Sequence, residues 1–209
     1  MIIDFGRVAA YLCPACGSIA FAEFSLFELS GGRGIQLACD CGKSKLNISP
    51  RTQTEYVVAP VCMMCDEVHE YITPLDQLMK NPVLNFACPE LFIGLVSIGK
   101  QEEVLASVQK TQDYVHEILT ACGLAHTGKN GLTFLKALNK IQELSEDGAL
   151  FCGCGSNLID VDVLEDEIVL ECHECKSTAS FTAKDVRTGN FSEVTEMVIP
   201  KRQKSTNEE

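Results

Sequence analysis

The sequence predicts an α+β chain made of three small β ribbons and an α-helical hairpin. Three observations predict it. Eleven of the twelve cysteines stand in or beside close-spaced clusters: Cys13/Cys16, Cys39/Cys41, Cys62/Cys65, Cys88, Cys152/Cys154 and Cys172/Cys175. The first four clusters echo one another. Cys13 to Cys39 is 26 positions, Cys62 to Cys88 is also 26, and the period is 49 residues. Between residues 100 and 147 the clusters stop, and apolar residues recur at helical spacing.

The expected domains are a first ribbon over 1–55, a second over 56–99, the helical hairpin over 100–148, a third ribbon over 149–200 and a disordered polar tail over 201–209. Each ribbon is roughly 40 residues, a size at which an apolar core alone is insufficient. Disulfides or a metal must supply the rest. The stretch Met1-Ile2-Ile3-Asp4-Phe5-Gly6-Arg7 has no basic segment followed by an apolar run, and CxxC and CxC pairs outside the secretory route read as zinc ligands. No apolar run reaches the ~18 residues of a membrane span. The expected location is cytoplasmic, with no membrane partner, and the expected cofactor is Zn²⁺, two or three per chain.

In the first ribbon, Val8 to Leu12 reads as a strand ending at the knuckle Cys13-Pro14-Ala15-Cys16-Gly17. Ile19 to Leu29 is a second strand, Ser30-Gly31-Gly32-Arg33-Gly34 a hairpin turn, Ile35 to Ala38 the return, and Leu46-Asn47-Ile48 a further strand. In the second ribbon the turn gives way to a short helix. Thr73 is the expected N-cap, Pro74 takes the first helical position, and Leu75, Leu78 and Met79 face inward. Val83 to Ala87 leads into Cys88-Pro89-Glu90, and Leu91 to Ile98 is a buried strand. Val104, Val108, Thr111, Val115, Ile118 and Cys122, with Leu105 and Leu119 beside them, predict a helix of about 22 residues and about 33 Å, ended by Gly123. After a loop over 124–130, Leu132, Leu135, Leu138, Ile141 and Leu144 mark a second helix ended by Gly148. The third ribbon reverses the knuckle order, CxC first and CxxC second, with strands over 158–163, 168–170 and 180–182.

Four cysteines close a tetrahedral zinc shell and leave no position for substrate. Cys13, Cys16, Cys39 and Cys41 form one such set, and Cys152, Cys154, Cys172 and Cys175 another. His173, inside the last knuckle, reads as an exposed filler. An alternative pairing joins Cys39 and Cys41 to Cys62 and Cys65, in the order of the third ribbon. The 49-residue register is preferred because it accounts for every cysteine of the first two ribbons. That register leaves the second set one ligand short. Cys62, Cys65 and Cys88 need a fourth, supplied by Glu90, which stands where Cys41 stands in the first copy, or by His69, four residues after Cys65. A third outcome is a lost metal or an open position held by water, with Glu70 or Glu90 as base. Cys122 reads as a buried small hydrophobe, and His116 and His126 as solvated. Met63-Met64 forms either an exposed knuckle tip or a contact with the first ribbon.

Two knuckles joined by a hairpin, with a further strand behind, resemble the zinc-ribbon or rubredoxin-like class of transcription and translation proteins. That resemblance implies a structural zinc and no common activity. The domain order, with the second ribbon ending in Cys88-Pro89-Glu90, also resembles uncharacterised bacterial multi-ribbon proteins, which implies the order of domains alone.

The net charge is −12, with residues 151–200 carrying three Lys/Arg and ten Asp/Glu. Such a surface repels nucleic-acid phosphate. Only residues 1–58 are neutral, with Arg7, Arg33, Lys43, Lys45 and Arg51 balanced by five acids. No P-loop, GxGxxG or GxSxG occurs. The leading expectation is a non-enzymatic adaptor that binds an unidentified protein partner and self-associates as a homodimer through 100–147. The alternatives are a nucleic-acid-binding regulator acting through the first ribbon and a zinc hydrolase at the second.

Overall fold

The structure is a computed structural model that describes residues 6–29, 32–189 and 191–201. The expected lead-in before residue 6, the start of the turn at Ser30-Gly31 and the tail from 202 lie outside the described residues. The chain is mixed α+β, with several small sheets and five α-helices among the described residues. It divides into two compact units, residues 1–118 and 119–209.

In the first unit every cysteine knuckle caps a β-hairpin. The hairpins are β1 (Gly6–Leu12) with β2 (Ile19–Ser25), β3 (Ile35–Ala38) with β4 (Lys45–Pro50), β5 (Glu55–Ala59) with β6 (Tyr71–Pro74), and β7 (Val83–Ala87) with β8 (Gly94–Gly99). Two short helices follow CxxC hairpins directly, α1 (Leu26–Leu29) after β2 and α2 (Leu75–Lys80) after β6. The short helix expected only in the second copy is therefore present in both, and the strand expected over 19–29 stops at Ser25.

The hairpins assemble across the repeat. One sheet has the order β2-β1-β8-β7 and the other β3-β4-β5-β6. Each copy gives one hairpin to each sheet, so the boundary expected at 55–56 falls beside a seam of paired strands, β4 with β5. The two seams are equivalent. Asn47 pairs with Gln36 and Ala59 in one sheet, and Ser97 pairs with Asn85 and Ala10 in the other. Gln36/Asn85 and Ala10/Ala59 are one period apart, but Ser97 comes one residue later than the period places it. The fourth hairpin therefore holds an extra residue, taken up by a register shift between Phe86 and Ala87. Both sheets face one core, built from Ala9, Tyr11, Phe24, Leu46, Ile48, Tyr56, Val58, Leu78, Val96 and Ile98, with Cys13, Cys39, Cys62 and Cys88 buried in it.

Helix α3 (Gln101–Ala121) packs on the β7/β8 side of the first sheet. Val104 is buried, and the Ser107 hydroxyl meets Asn85 Oδ1 at 2.7 Å and Ser97 Oγ at 3.1 Å. Gly94 permits that approach, because a Cβ there would sit 2.6 Å from Thr111 Oγ1. The helix ends at Gly123, whose φ is +73.

In the second unit, the segment expected as a loop contains a 3₁₀ turn over Ala125–Asn130. Helix α4 (Gly131–Glu146) follows and ends despite Glu146 and Asp147, because Gly148 at φ +69 and the Ala149 N–H to Leu144 carbonyl bond close it. Its inner face, Phe134, Ala137, Ile141 and Leu144, packs on Leu150, Ile168, Leu170, Val186 and Ile199. Those residues come from β9 (Leu150–Cys152), β11 (Glu167–Cys172), α5 (Ala183–Thr188) and β13 (Met197–Ile199). β10 (Ile159–Val163), β11 and β12 (Thr178–Thr182) form an antiparallel sheet, and β13 pairs parallel with β9. Thr182 and Asp185 close a capping box on α5. The helical hairpin expected over 100–148 is not confirmed: α3 up to Ile118 belongs to the first unit, and α4 lies in the core of the second.

Candidate metal centres

The six knuckles share one backbone device. The N–H of the first cysteine donates to a carbonyl four or five residues on, and a later N–H returns to that cysteine's own carbonyl. In CxxC knuckles the return comes from the fourth residue on, and its φ is positive: Gly17, Asp66 and Lys176. In CxC knuckles it comes from the third, Gly42 or Gly155. This curl turns backbone N–H groups toward the sulfurs, which favours thiolate.

Three groups of four donors could each hold a metal ion, with the donor atoms of each group within 4.8 Å of one another: Cys13, Cys16, Cys39 and Cys41; Cys62, Cys65, His69 and Cys88; and Cys152, Cys154, Cys172 and Cys175. In the first, Cys13 Sγ lies 3.7 Å from Cys41 Sγ and Cys16 Sγ 3.8 Å from Cys39 Sγ. In the second, Cys65 and Cys88 are 3.5 Å apart. In the third, Cys152 and Cys175 are 3.4 Å apart and Cys154 and Cys172 3.6 Å. A disulfide would need about 2.05 Å. Tetrahedral bonds of about 2.3 Å to one zinc would separate sulfurs by about 3.8 Å, so the spacing is compatible with four ligands around one ion.

The second group decides between the two candidate fourth ligands. His69 joins the three cysteines. Its Nε2 is buried and has no hydrogen-bond partner, a state that costs free energy unless a cation takes the lone pair. Its backbone N–H is anchored on the Pro60 carbonyl at 3.0 Å. Glu90 is exposed and outside the group; its backbone N–H, not its carboxylate, is turned toward Cys88. The fourth knuckle explains why. Cys88 N–H donates to Ile93 O, Phe92 N–H returns to Cys88 O, and Phe92 has φ +55, which is the CxxC pattern. In that pattern the second ligand position is the third residue on, Leu91. The extra residue that displaces Ser97 lies beyond this knuckle, since Ala87 pairs with Gly94 as Ala38 does with Lys45. What removes Glu90 from the place of Cys41 is the different curl within the same length, closed by the fourth residue on rather than the third. Length alone did not carry that signal, because Cys88 to Ile93 matches both Cys13 to Ser18 and Cys39 to Ser44.

The unliganded thiols do not share one acidity. Burial would raise Cys16, yet bonds from the Ser18 backbone and side chain and from Cys13 and Cys39 bring it down to about 7, while burial pushes Cys39 up to about 12. Burial and the neighbouring thiols of Cys88 and Cys62 likewise push Cys65 up to about 12. The Ser177 hydroxyl and backbone N–H bring Cys175 down to about 6. Packed thiols resist joint ionisation, and a central cation is what would let all of them ionise. Supporting groups hold each set. Ser44 Oγ is 2.8 Å from Cys13 Sγ, Ser177 Oγ 3.2 Å from Cys175 Sγ, and Tyr71 donates to the Ala87 carbonyl just before Cys88 at 2.7 Å.

The remaining candidates are placed as follows. Met63 is buried and Met64 packs on the core, so the knuckle tip is not exposed. Leu78 is buried, but Met79 is exposed, and Pro74 rather than Thr73 caps α2. Cys122 is exposed, contrary to expectation; it lies just past the end of α3, between buried Leu119 and Leu124. His173 is exposed and faces Asp160 at 3.4 Å; His126 is exposed and meets the Val163 carbonyl at 3.0 Å. His116 and Glu70 are exposed. Of the basic residues of the first copy, Arg7 is buried and donates to the Asn81 carbonyl, Arg51 faces Glu55, and Lys45 donates to Gln36; Arg33 and Lys43 are exposed. No helix among the described residues is long and apolar enough to cross a membrane.

No family model matches the chain, and no curated protein or solved structure matches it either.

Proposed function

We propose that the chain is a non-catalytic zinc-ribbon protein that holds three Zn²⁺ and docks protein partners. The observation that carries the reading is Phe92. It is 72% exposed and sits at φ +55, a conformation costly for an aromatic residue. Glycine fills the same place in the knuckles of Cys13, Cys39 and Cys152. An exposed, strained aromatic next to half-exposed Leu91 has the character of an interface anchor. The metal groups support the same reading. His69 gives the second group a full set of four donors, which leaves no open position for substrate or water. Arg7 is buried on the Asn81 carbonyl, and the exposed Arg33, Lys43, Lys45 and Arg51 work against a net charge of −12, a balance that disfavours phosphate.

The test is cross-linking with residue mapping, on the full chain and on Phe92→Gly. Glycine suits the backbone there, so the variant keeps three metals and its stability. The expected result is a protein partner cross-linked around Leu91 and Phe92 in the original chain and lost in Phe92→Gly. Retention of the same partner by Phe92→Gly, or recovery of nucleic acid alone, would overturn the reading.

A further inference from the structure

In the first unit each donor group joins hairpins of different sheets. Cys13 and Cys16 lie on the β1/β2 hairpin of one sheet, and Cys39 and Cys41 on the β3/β4 hairpin of the other. Cys62, Cys65 and His69 lie on the β5/β6 hairpin, and Cys88 on the β7/β8 hairpin, again one from each sheet. The backbone ladders run the other way. β4 pairs with β5, and β1 with β8, so each ladder joins one copy to the other. Four hairpins thus form a ring with four alternating joints: donor group, ladder, donor group, ladder.

A ring has a property that a string of modules lacks. Before metal binds, its hairpins must be ordered from a flexible chain, and that cost falls on the first ion. Once one donor group closes, two hairpins are fixed, and each offers a strand edge to a neighbour in the other copy. The ladders then bring the second donor set together, and the second ion meets a site already assembled. The third group stands apart. Cys152/Cys154 stand at the end of β9, in the β13–β9 pair, and Cys172/Cys175 at the β11/β12 turn of the three-stranded sheet. This group also joins two sheets, but it lies in a separate unit and shares no hairpin with the other two groups.

We infer that the two metal groups of the first unit fill cooperatively, as one event, whereas the group of Cys152, Cys154, Cys172 and Cys175 fills independently. The inference rests on the reading that the groups hold zinc. Coupling between sites in proteins commonly amounts to a factor of about 5 to 150 in affinity, and the ring predicts a value inside that range for the first two groups and none with the third.

The experiment adds sub-stoichiometric Zn²⁺ to the metal-free full chain, pulses it with a thiol alkylating reagent and maps modified cysteines on individual chains by top-down mass spectrometry. The expected result is that chains protected at Cys13, Cys16, Cys39 and Cys41 are also protected at Cys62, Cys65 and Cys88, at least about fivefold more often than random filling allows. Protection at Cys152, Cys154, Cys172 and Cys175 is expected to be uncorrelated with either. Random co-occurrence of the first two sets would overturn the coupling while leaving the zinc reading intact. Alkylation of all the ligand cysteines at every zinc concentration would overturn the zinc reading and the coupling with it.

Discussion

The two units set the same knuckles in different frames. In the first, donor groups bridge sheets, and the sheets are completed by strands from the other copy. In the second, one donor group joins the β13–β9 pair to the three-stranded sheet, and α4 supplies both with an apolar core through Phe134, Ala137, Ile141 and Leu144. Metal should therefore be a condition of folding in the first unit and a reinforcement in the second. The sequence offers a clean probe of the difference, because all four tyrosines, Tyr11, Tyr56, Tyr71 and Tyr114, lie in residues 1–118 and there is no tryptophan.

The largest effect expected is that of stripping metal with a chelator. Apparent binding energies of structural zinc are about 10–16 kcal/mol, more than the typical ~5–15 kcal/mol stability of a domain. The near-UV circular dichroism of the tyrosines should vanish at a chelator concentration that leaves much of the far-UV helical signal of α4. Simultaneous loss of both signals would erase the contrast between the units.

Next in size is the removal of His69. His69→Ala should reduce bound zinc from three ions to two by native mass spectrometry, with a drop in tyrosine ellipticity, whereas Glu90→Gln should keep three. The reverse pattern would mean that Glu90 is the ligand. A sharper version follows from the fourth knuckle. Because Leu91 occupies the second ligand position of a CxxC curl, adding Leu91→Cys to His69→Ala should restore the third ion. Failure to restore it would show that the curl does not bring position 91 to the metal.

Much of this was legible in the sequence, and the residues show where legibility stopped. The repeat was visible because cysteines and turn-forming residues recur at fixed places, and those are local signals. The short helices after β2 and β6 follow the same logic, although the first was hidden inside an apolar run, Ile19 to Leu29. What the period concealed was partnership. β4 and β5 are adjacent in sequence and were separated into two ribbons, while β1 and β8 pair across about ninety residues. Their apolar alternation is the same whichever neighbour they choose, so pattern alone does not select one. Glu90 was favoured by counting from Cys41; the count is in register, but the Cys88 knuckle closes its curl on Phe92, the fourth residue on, where the Cys39 knuckle closes on the third, Gly42. The helical hairpin was inferred from two apolar stripes in sequence, but each stripe can be buried against a sheet, as Val104 and Phe134 are. Cys122 carried the stripe's spacing past Ala121, where the helix ends and the helical period no longer sets which way a side chain faces.

The smallest effect concerns the charge of the four-thiolate groups. A zinc ion with four thiolates carries net −2, and one with three thiolates and a neutral histidine net −1. The first and third groups each have a serine hydroxyl against a sulfur, Ser44 on Cys13 and Ser177 on Cys175. A hydroxyl donating to a thiolate spreads that excess charge, and such a bond to a charged group contributes about 1.5–3 kcal/mol before screening and relaxation reduce it. Ser44→Ala should therefore leave three ions bound and lower the stability of the first unit by about 1 kcal/mol, seen as a small shift of the tyrosine-monitored denaturant midpoint with unchanged slope. The β11/β12 hairpin should report no change, because Ser44 belongs to the other unit. A loss of zinc from Ser44→Ala would make the hydroxyl part of the ligand architecture, and an unchanged midpoint would mean that the backbone N–H groups of the curl already hold the thiolate on their own.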